Sequence, residues 1–236
     1  MPEFVRPVAR DGVAAMEGYH SAQMNVDVRL NTNESPVPPP EAFCSAVAVA
    51  AANVSWNRYP DRSATALRTA LAEAHGVIPT QVFAANGSNE VLQSLQLAYG
   101  GLGRSAAVFE PTYSMYAQIA RTTGTGILRG TRDADHCLVS DGVLALVADE
   151  QPALVLLCSP NNPTGTVDPV GLVADIVDVA ASYGGLVVVD EAYGQFASTS
   201  AVDLLAEDRP LVVSRTFSKT WAMAGARLGY LLAPTW

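Results

Sequence analysis

Leu186-Val187-Val188-Val189-Asp190-Glu191-Ala192-Tyr193 decides the fold class. Its first four residues are apolar with no polar alternate, as in a strand covered on both faces, and the run ends on two carboxylates. Leu154-Val155-Leu156-Leu157-Cys158 repeats the pattern and leads into Ser159-Pro160-Asn161-Asn162-Pro163-Thr164-Gly165, seven polar or turn-forming residues. Outward from these two runs, shorter apolar stretches at 82–85, 106–109, 126–129, 211–213 and 228–232 read as further strands. Helical stretches separate them, and two more helices are predicted upstream at 41–53 and 63–75. Seven strands interleaved with helices predict an α/β fold: three layers around a mostly parallel seven-stranded sheet.

The 236 residues are 49% hydrophobic and 16% charged, which places the chain among globular proteins. A net charge of −9 argues against a nucleic-acid partner, which would meet a basic stripe. No apolar run approaches the roughly 18 residues of a membrane span, and the first residues lack the apolar core of a signal peptide. Cys44, Cys137 and Cys158 read as reduced cytosolic thiols, and His20, His75 and His136 are too scattered for a zinc site, so no metal and a cytoplasmic location are expected. Residues 1–40, ending in the proline-rich Ser35-Pro36-Val37-Pro38-Pro39-Pro40, read as an irregular arm ahead of a globular part at 41–236.

In open sheets of this kind ligands bind beyond the carboxyl ends of the strands, and four strand ends here carry polar groups. Asn86-Gly87-Ser88-Asn89-Glu90 offers a glycine turn and free N–H groups at a helix start, an anion site or else an ordinary helix cap. Asp190 closes an all-apolar strand and is either a helix cap or a partly buried carboxylate in need of a partner. Residues 159–165 form a tight turn or a binding loop. The fourth strand end leads to Ser214-Arg215-Thr216-Phe217-Ser218-Lys219.

Lys219 is the one lysine beside thirteen arginines. Codon bias accounts for missing lysines; a surviving one suits a position that needs a neutral primary amine, because Arg cannot be deprotonated. Arg227 follows eight residues later, across the small residues Ala222, Ala224, Gly225 and Ala226. Together these groups describe a site for a phosphorylated aromatic aldehyde. Lys219 would form a Schiff base, and Asp190 would pair with a ring N–H and keep the ring an electron sink. Asn162 and Tyr193 can donate to a ring oxygen. Arg227, Thr216, Ser218 and the N–H groups at Ser88 and Asn89 would hold the phosphate. Tyr113 can stack on the ring, whereas Tyr116 reads as core packing.

The order and spacing of Leu30-Asn31-Thr32-Asn33-Glu34-Ser35-Pro36, Arg58-Tyr59-Pro60-Asp61, residues 86–90, 159–165 and 190–193, Thr216-Phe217-Ser218-Lys219 and Gly225-Ala226-Arg227-Leu228-Gly229-Tyr230 resemble the pyridoxal 5′-phosphate aminotransferases of the aspartate-aminotransferase fold. Within them, the chain is most similar to the histidinol-phosphate aminotransferase family. The resemblance implies pyridoxal 5′-phosphate as cofactor and a homodimer in which Tyr59 reaches the cofactor phosphate of the neighbouring subunit. It implies substrate contacts from Tyr19 and Asn33. It also implies ping-pong transamination between L-histidinol phosphate and 2-oxoglutarate, giving imidazole-acetol phosphate and L-glutamate in histidine biosynthesis, with Lys219 as general base and acid.

Members of that family run on by roughly a hundred residues through a small C-terminal domain, so 41–236 would be the cofactor-binding large domain alone, with impaired turnover. Sister activities on the same fold, an aromatic-amino-acid aminotransferase or a threonine-phosphate decarboxylase, use the same cofactor residues. A non-catalytic remnant is the alternative of another class. Gly101-Leu102-Gly103-Arg104-Ser105-Ala106 fits a dinucleotide fingerprint but follows a helix and precedes a strand, the reverse of what phosphate binding needs.

Overall fold

Every residue of 154–158 and 186–190 is buried, and the two runs lie side by side as parallel neighbours, Cys158 opposite Asp190. The computed structural model describes residues 4–16, 22 and 24–236. The strands are β1 (Val82–Ala85), β2 (Ser105–Glu110), β3 (Gly126–Thr131), β4 (Leu154–Cys158), β5 (Leu186–Asp190), β6 (Leu211–Thr216) and β7 (Gly229–Leu232). They form one sheet in the order β1-β7-β6-β5-β4-β2-β3. β7 runs antiparallel to both its neighbours, and the remaining pairs are parallel.

The helices are α1 (Asp11–Ala14), α2 (Glu41–Ala52), α3 (Thr65–His75), α4 (Ser88–Tyr99), α5 (Met115–Thr123), α6 (Ser140–Glu150) and α7 (Val170–Ala181). Strand parity divides the core. Leu154, Leu156 and Cys158 of β4 and Leu186 and Val188 of β5 face α4 and α5 with Val91, Leu92, Tyr116 and Ile119. Val155, Leu157, Val187 and Val189 face α6 and α7 with Val143, Val147, Ile176 and Val177. Each such side chain removed from water contributes about 1.5–3 kcal/mol, so the two-sided sheet is where the fold's stability concentrates. A smaller cluster, Leu71, Ala72, Val82, Tyr230 and Leu232, fixes α3 against β1 and β7.

Helix α3 begins at Thr65 rather than 63, because Asp61 accepts from the N–H groups of Ser63 (3.0 Å) and Thr65 (2.7 Å) and Ala64 takes a left-handed φ of 47°. Strand β6 runs three residues beyond its apolar core, to Thr216, because β7 pairs with it there. From α2 through the turn to α3 no residue is buried; Leu71 and Ala72 are the first that are. No helix among the described residues is long and apolar enough to cross a membrane.

The β6–β7 connection positions the site. A parallel neighbour would require a crossover over one face of the sheet. Instead residues 217–228 stay at the carboxyl edge of β6, pinned at their base by the Phe217 N–H to Leu228 carbonyl bond (3.0 Å), and return as an antiparallel strand. Lys219 and Arg227 therefore sit on the same edge as the ends of β4 and β5.

Candidate functional site

Parity places Asp190 on the α4/α5 side of the sheet, with Cys158 and Tyr116, and it is 2% exposed. Its Oδ2 accepts from the Tyr116 hydroxyl (3.0 Å) and its Oδ1 from the Ala192 N–H (3.2 Å). It forms no ion pair among the described residues. Burial pushes its carboxyl up to about 6, against the two hydrogen bonds and Lys219, which favour the anion. The adjacent Cys158 thiol is pushed up to about 12, by burial first and by the Asp190 charge second, and stays neutral. A buried carboxylate without a cation is a costly arrangement that a cationic ligand would relieve.

Lys219 follows β6 and is half-buried. Its Nζ donates to the Thr32 carbonyl (2.8 Å) and lies 5.9 Å from the centre of the Tyr193 ring. Burial lowers its pKa; Glu34 opposes the shift and Arg227 adds to it. The amine is thus biased toward the neutral, nucleophilic form.

Gly87 caps α4 with φ +90°, and no side chain caps the helix. Glu90 instead accepts from the Asn86 N–H, and Ser88 and Asn89 stand in the first turn, where backbone N–H groups have no intrahelical partner. Arg227 packs over the turn so closely that a Cβ on Gly87 would stand 2.5 Å from its guanidinium. Gly229 leaves the same room from the β7 side, where a Cβ would strike the Ser88 nitrogen and Gly87 backbone. Thr216 donates to the Ser218 hydroxyl (3.0 Å), which also receives Arg227 (3.5 Å). Guanidinium, two hydroxyls and a helix N-terminus converge, a combination suited to a phosphate.

These groups line one cavity of about 730 Å³, with the Ser88–Arg227 cradle, Lys219 and Asp190 all on its wall. Asn162, from the loop after β4, and Tyr193, after β5, line it as well, and the Tyr193 hydroxyl accepts from Asn33 (2.9 Å). Tyr113 lies just before α5, donates to the Asn89 side chain (3.2 Å) and meets Tyr116 edge-on, ring centres 5.5 Å apart. Of the residues singled out in the sequence, Tyr59 is 98% exposed and does not line this cavity; Tyr19 lies outside the described residues. Among the described residues no cluster of three or more His, Cys, Asp or Glu could hold a metal ion.

The sequence pattern of the aminotransferase class I and II family matches residues 25–236. The chain belongs to that family. Its aminotransferase relatives include the histidinol-phosphate aminotransferases of Thermobifida fusca, 48% identical over 231 residues, and Frankia casuarinae, 48% identical over 236. Each alignment takes in 95% of this chain but 62% and 59% of the relative, so the chain spans about six-tenths of the length of the curated aminotransferases it matches. Among solved aminotransferase structures it is similar to the histidinol-phosphate aminotransferase of Sinorhizobium meliloti in complex with pyridoxal-5′-phosphate. That match is 27% identical with a TM-score of 0.79, covering 86% of this chain and 55% of that one. It shares the fold of a Thermus thermophilus aspartate aminotransferase mutant, 23% identical with a TM-score of 0.83, covering 98% of this chain and 64% of that one.

Three supports of this site escaped the sequence reading. Arg132 and Asp168 form a pair 1% exposed on both sides, 2.7 Å apart, and Arg132 also reaches the Cys158 carbonyl, so the pair ties β3 to both ends of the 159–165 loop that carries Asn162. Glu191, next in sequence to Asp190, accepts from Arg215 (2.6 Å) and Ser200 (2.9 Å). Tyr116 reads as core packing and is packed in the core, but its hydroxyl contact with Asp190 is visible only once α5 is packed against β5. The one available signal was an aromatic hydroxyl one helical turn after Tyr113.

Proposed function

We propose that the cavity binds pyridoxal 5′-phosphate and that the chain carries the cofactor-holding part of a cytoplasmic histidinol-phosphate aminotransferase, which transfers an amino group between L-histidinol phosphate and 2-oxoglutarate. One observation carries this reading: an amine biased toward its neutral form and a buried carboxylate with no ion pair among the described residues line the same cavity as an anion cradle. The residues fit the group, since Asp190 awaits a ring N–H and the cradle has the donors a phosphate needs. When bound, the cofactor supplies an aldehyde and an electron-withdrawing ring that stabilises charge at the substrate Cα. Lys219 would bind the aldehyde and later take the proton from the substrate Cα and return it. Asp190 would hold the ring nitrogen protonated. Asn162 and Tyr193 would donate to the ring oxygen and orient the ring, Tyr113 would cover its face, and Ser88, Asn89, Thr216, Ser218 and Arg227 would anchor the phosphate. Asn33, held on Tyr193, and Tyr19 would face the substrate. The exposure of Tyr59 suits a residue that reaches the phosphate of a second subunit in a homodimer.

Titrating the chain with pyridoxal 5′-phosphate should give a saturable visible absorbance band. That band should be consumed by L-histidinol phosphate and restored by 2-oxoglutarate, with phenylalanine far less effective. Consumption by phenylalanine alone would replace the substrate assignment with an aromatic amino acid.

A further inference from the structure

Among the described residues Tyr116 is the largest fully buried side chain, at 1% exposure. A tyrosine in such a place keeps its hydroxyl only if a partner is provided, and here the partner is Asp190 Oδ2 at 3.0 Å. The phenol is held by its own surroundings. Gln96 of α4, itself fully buried, donates to the Tyr116 carbonyl (3.3 Å), and the ring packs edge-on to Tyr113 at 85°. Burial, with the Asp190 charge behind it, raises the phenol's pKa well above its ordinary value, so it remains a donor. Among the described residues the Asp190 carboxylate has one other hydrogen bond, from the Ala192 N–H to Oδ1, and Ala192 lies two residues along the same chain segment. Tyr116 is therefore the one side chain among the described residues that donates to this carboxylate from a different element of the fold.

We propose that Tyr116 is a positioning residue for the cofactor: its hydroxyl, fixed by α4 and α5, fastens Asp190 Oδ2 so that the carboxylate is held ionised and aimed at the ring nitrogen. The inference rests on the cofactor reading above and adds to it a residue that does not itself line the cavity. Replacing the phenol by phenyl keeps the ring packing and removes only the hydroxyl. The carboxylate then loses a hydrogen bond to a charged group, and the cofactor affinity that depends on a fixed anion falls by about tenfold.

The test is a double-mutant cycle on the full chain, read as the Kd for pyridoxal 5′-phosphate from the visible band, with the thermal midpoint of the cofactor-free chain measured alongside. Tyr116→Phe should weaken binding by about tenfold in the native background and by less than about twofold in the Asp190→Asn background, where no anion remains to be held. An equal loss in both backgrounds would make Tyr116 a packing residue and overturn the inference while leaving the cofactor reading intact. An unchanged Kd in the native background would overturn it too. Should Tyr116→Phe lower the thermal midpoint, Tyr116→Leu sets the scale: a packing role makes the two Kd losses track the two stability losses, whereas a positioning role makes Tyr116→Phe lose affinity out of proportion. Absence of any saturable band in the unmutated chain would remove the cofactor reading, and this inference with it.

Discussion

Asp190→Asn should stabilise the cofactor-free chain at neutral pH while weakening its grip on the cofactor. The carboxyl is 2% exposed, forms no ion pair among the described residues, and is pushed from 3.8 up to about 6 chiefly by burial. A gap of about two pH units at 1.36 kcal/mol each corresponds to about 3 kcal/mol of destabilisation carried by the buried anion. The sign follows from proton binding. The folded chain holds this proton more tightly than the unfolded chain, so the carboxyl's contribution to stability is full below pH 3.8 and is lost as pH rises through about 6. Asparagine keeps an oxygen to accept from Tyr116 and removes the charge. Its advantage should be about 1–3 kcal/mol at pH 7, or several degrees in Tm for a chain of this size, and should fade as pH falls from about 6 toward 4. Urea unfolding of the cofactor-free chain and the variant at about pH 7 and about pH 4.5 measures this directly. If the variant is less stable at pH 7, or its advantage does not depend on pH, the carboxylate is not a strained anion awaiting a cation and the reasoning fails.

Three further expectations concern the supports of the site. Gly87→Ala places a Cβ 2.5 Å from the Arg227 guanidinium at a φ of +90°; phosphate-dependent cofactor binding should fall by about tenfold or more, measured against pyridoxal, which lacks the phosphate. Asp168→Asn leaves Arg132 buried without its counter-charge and should cost about 3–5 kcal/mol in urea unfolding, whereas Arg132→Met with Asp168→Leu should recover most of it. If Tyr59 serves a neighbouring subunit, mixing Tyr59→Ala with Lys219→Ala chains should restore, in mixed dimers, one site with both residues and a cofactor affinity that neither parent has alone.

The fold was legible because the residues that specify it are local. Two runs without alternation, 154–158 and 186–189, announce strands covered on both faces, and both are central and parallel. The direction of β7 was not legible: 228–232 reads as one more strand, and only the return of 217–228 along the same edge makes it antiparallel. Of the residues that line the cavity, those after strand ends were legible because the ends of β4, β5 and β6 share an edge. Tyr116 and the Arg132–Asp168 pair were not, because each buried donor meets its acceptor only through the tertiary fold, across 74 residues of sequence for Tyr116 and Asp190 and 36 for Arg132 and Asp168. Thr32 was likewise hidden, since nothing local ties its carbonyl to the Lys219 amine 187 residues away.

Attachment of the cofactor to Lys219 is open to a direct test, because the chain has one lysine. The chain is incubated with pyridoxal 5′-phosphate, reduced with borohydride, digested and analysed by mass spectrometry. The account predicts a stoichiometric pyridoxyl phosphate adduct on the peptide containing Phe217-Ser218-Lys219-Thr220, absent from Lys219→Ala. An unmodified Lys219 at saturating cofactor, or label found only on the terminal amine, would contradict it.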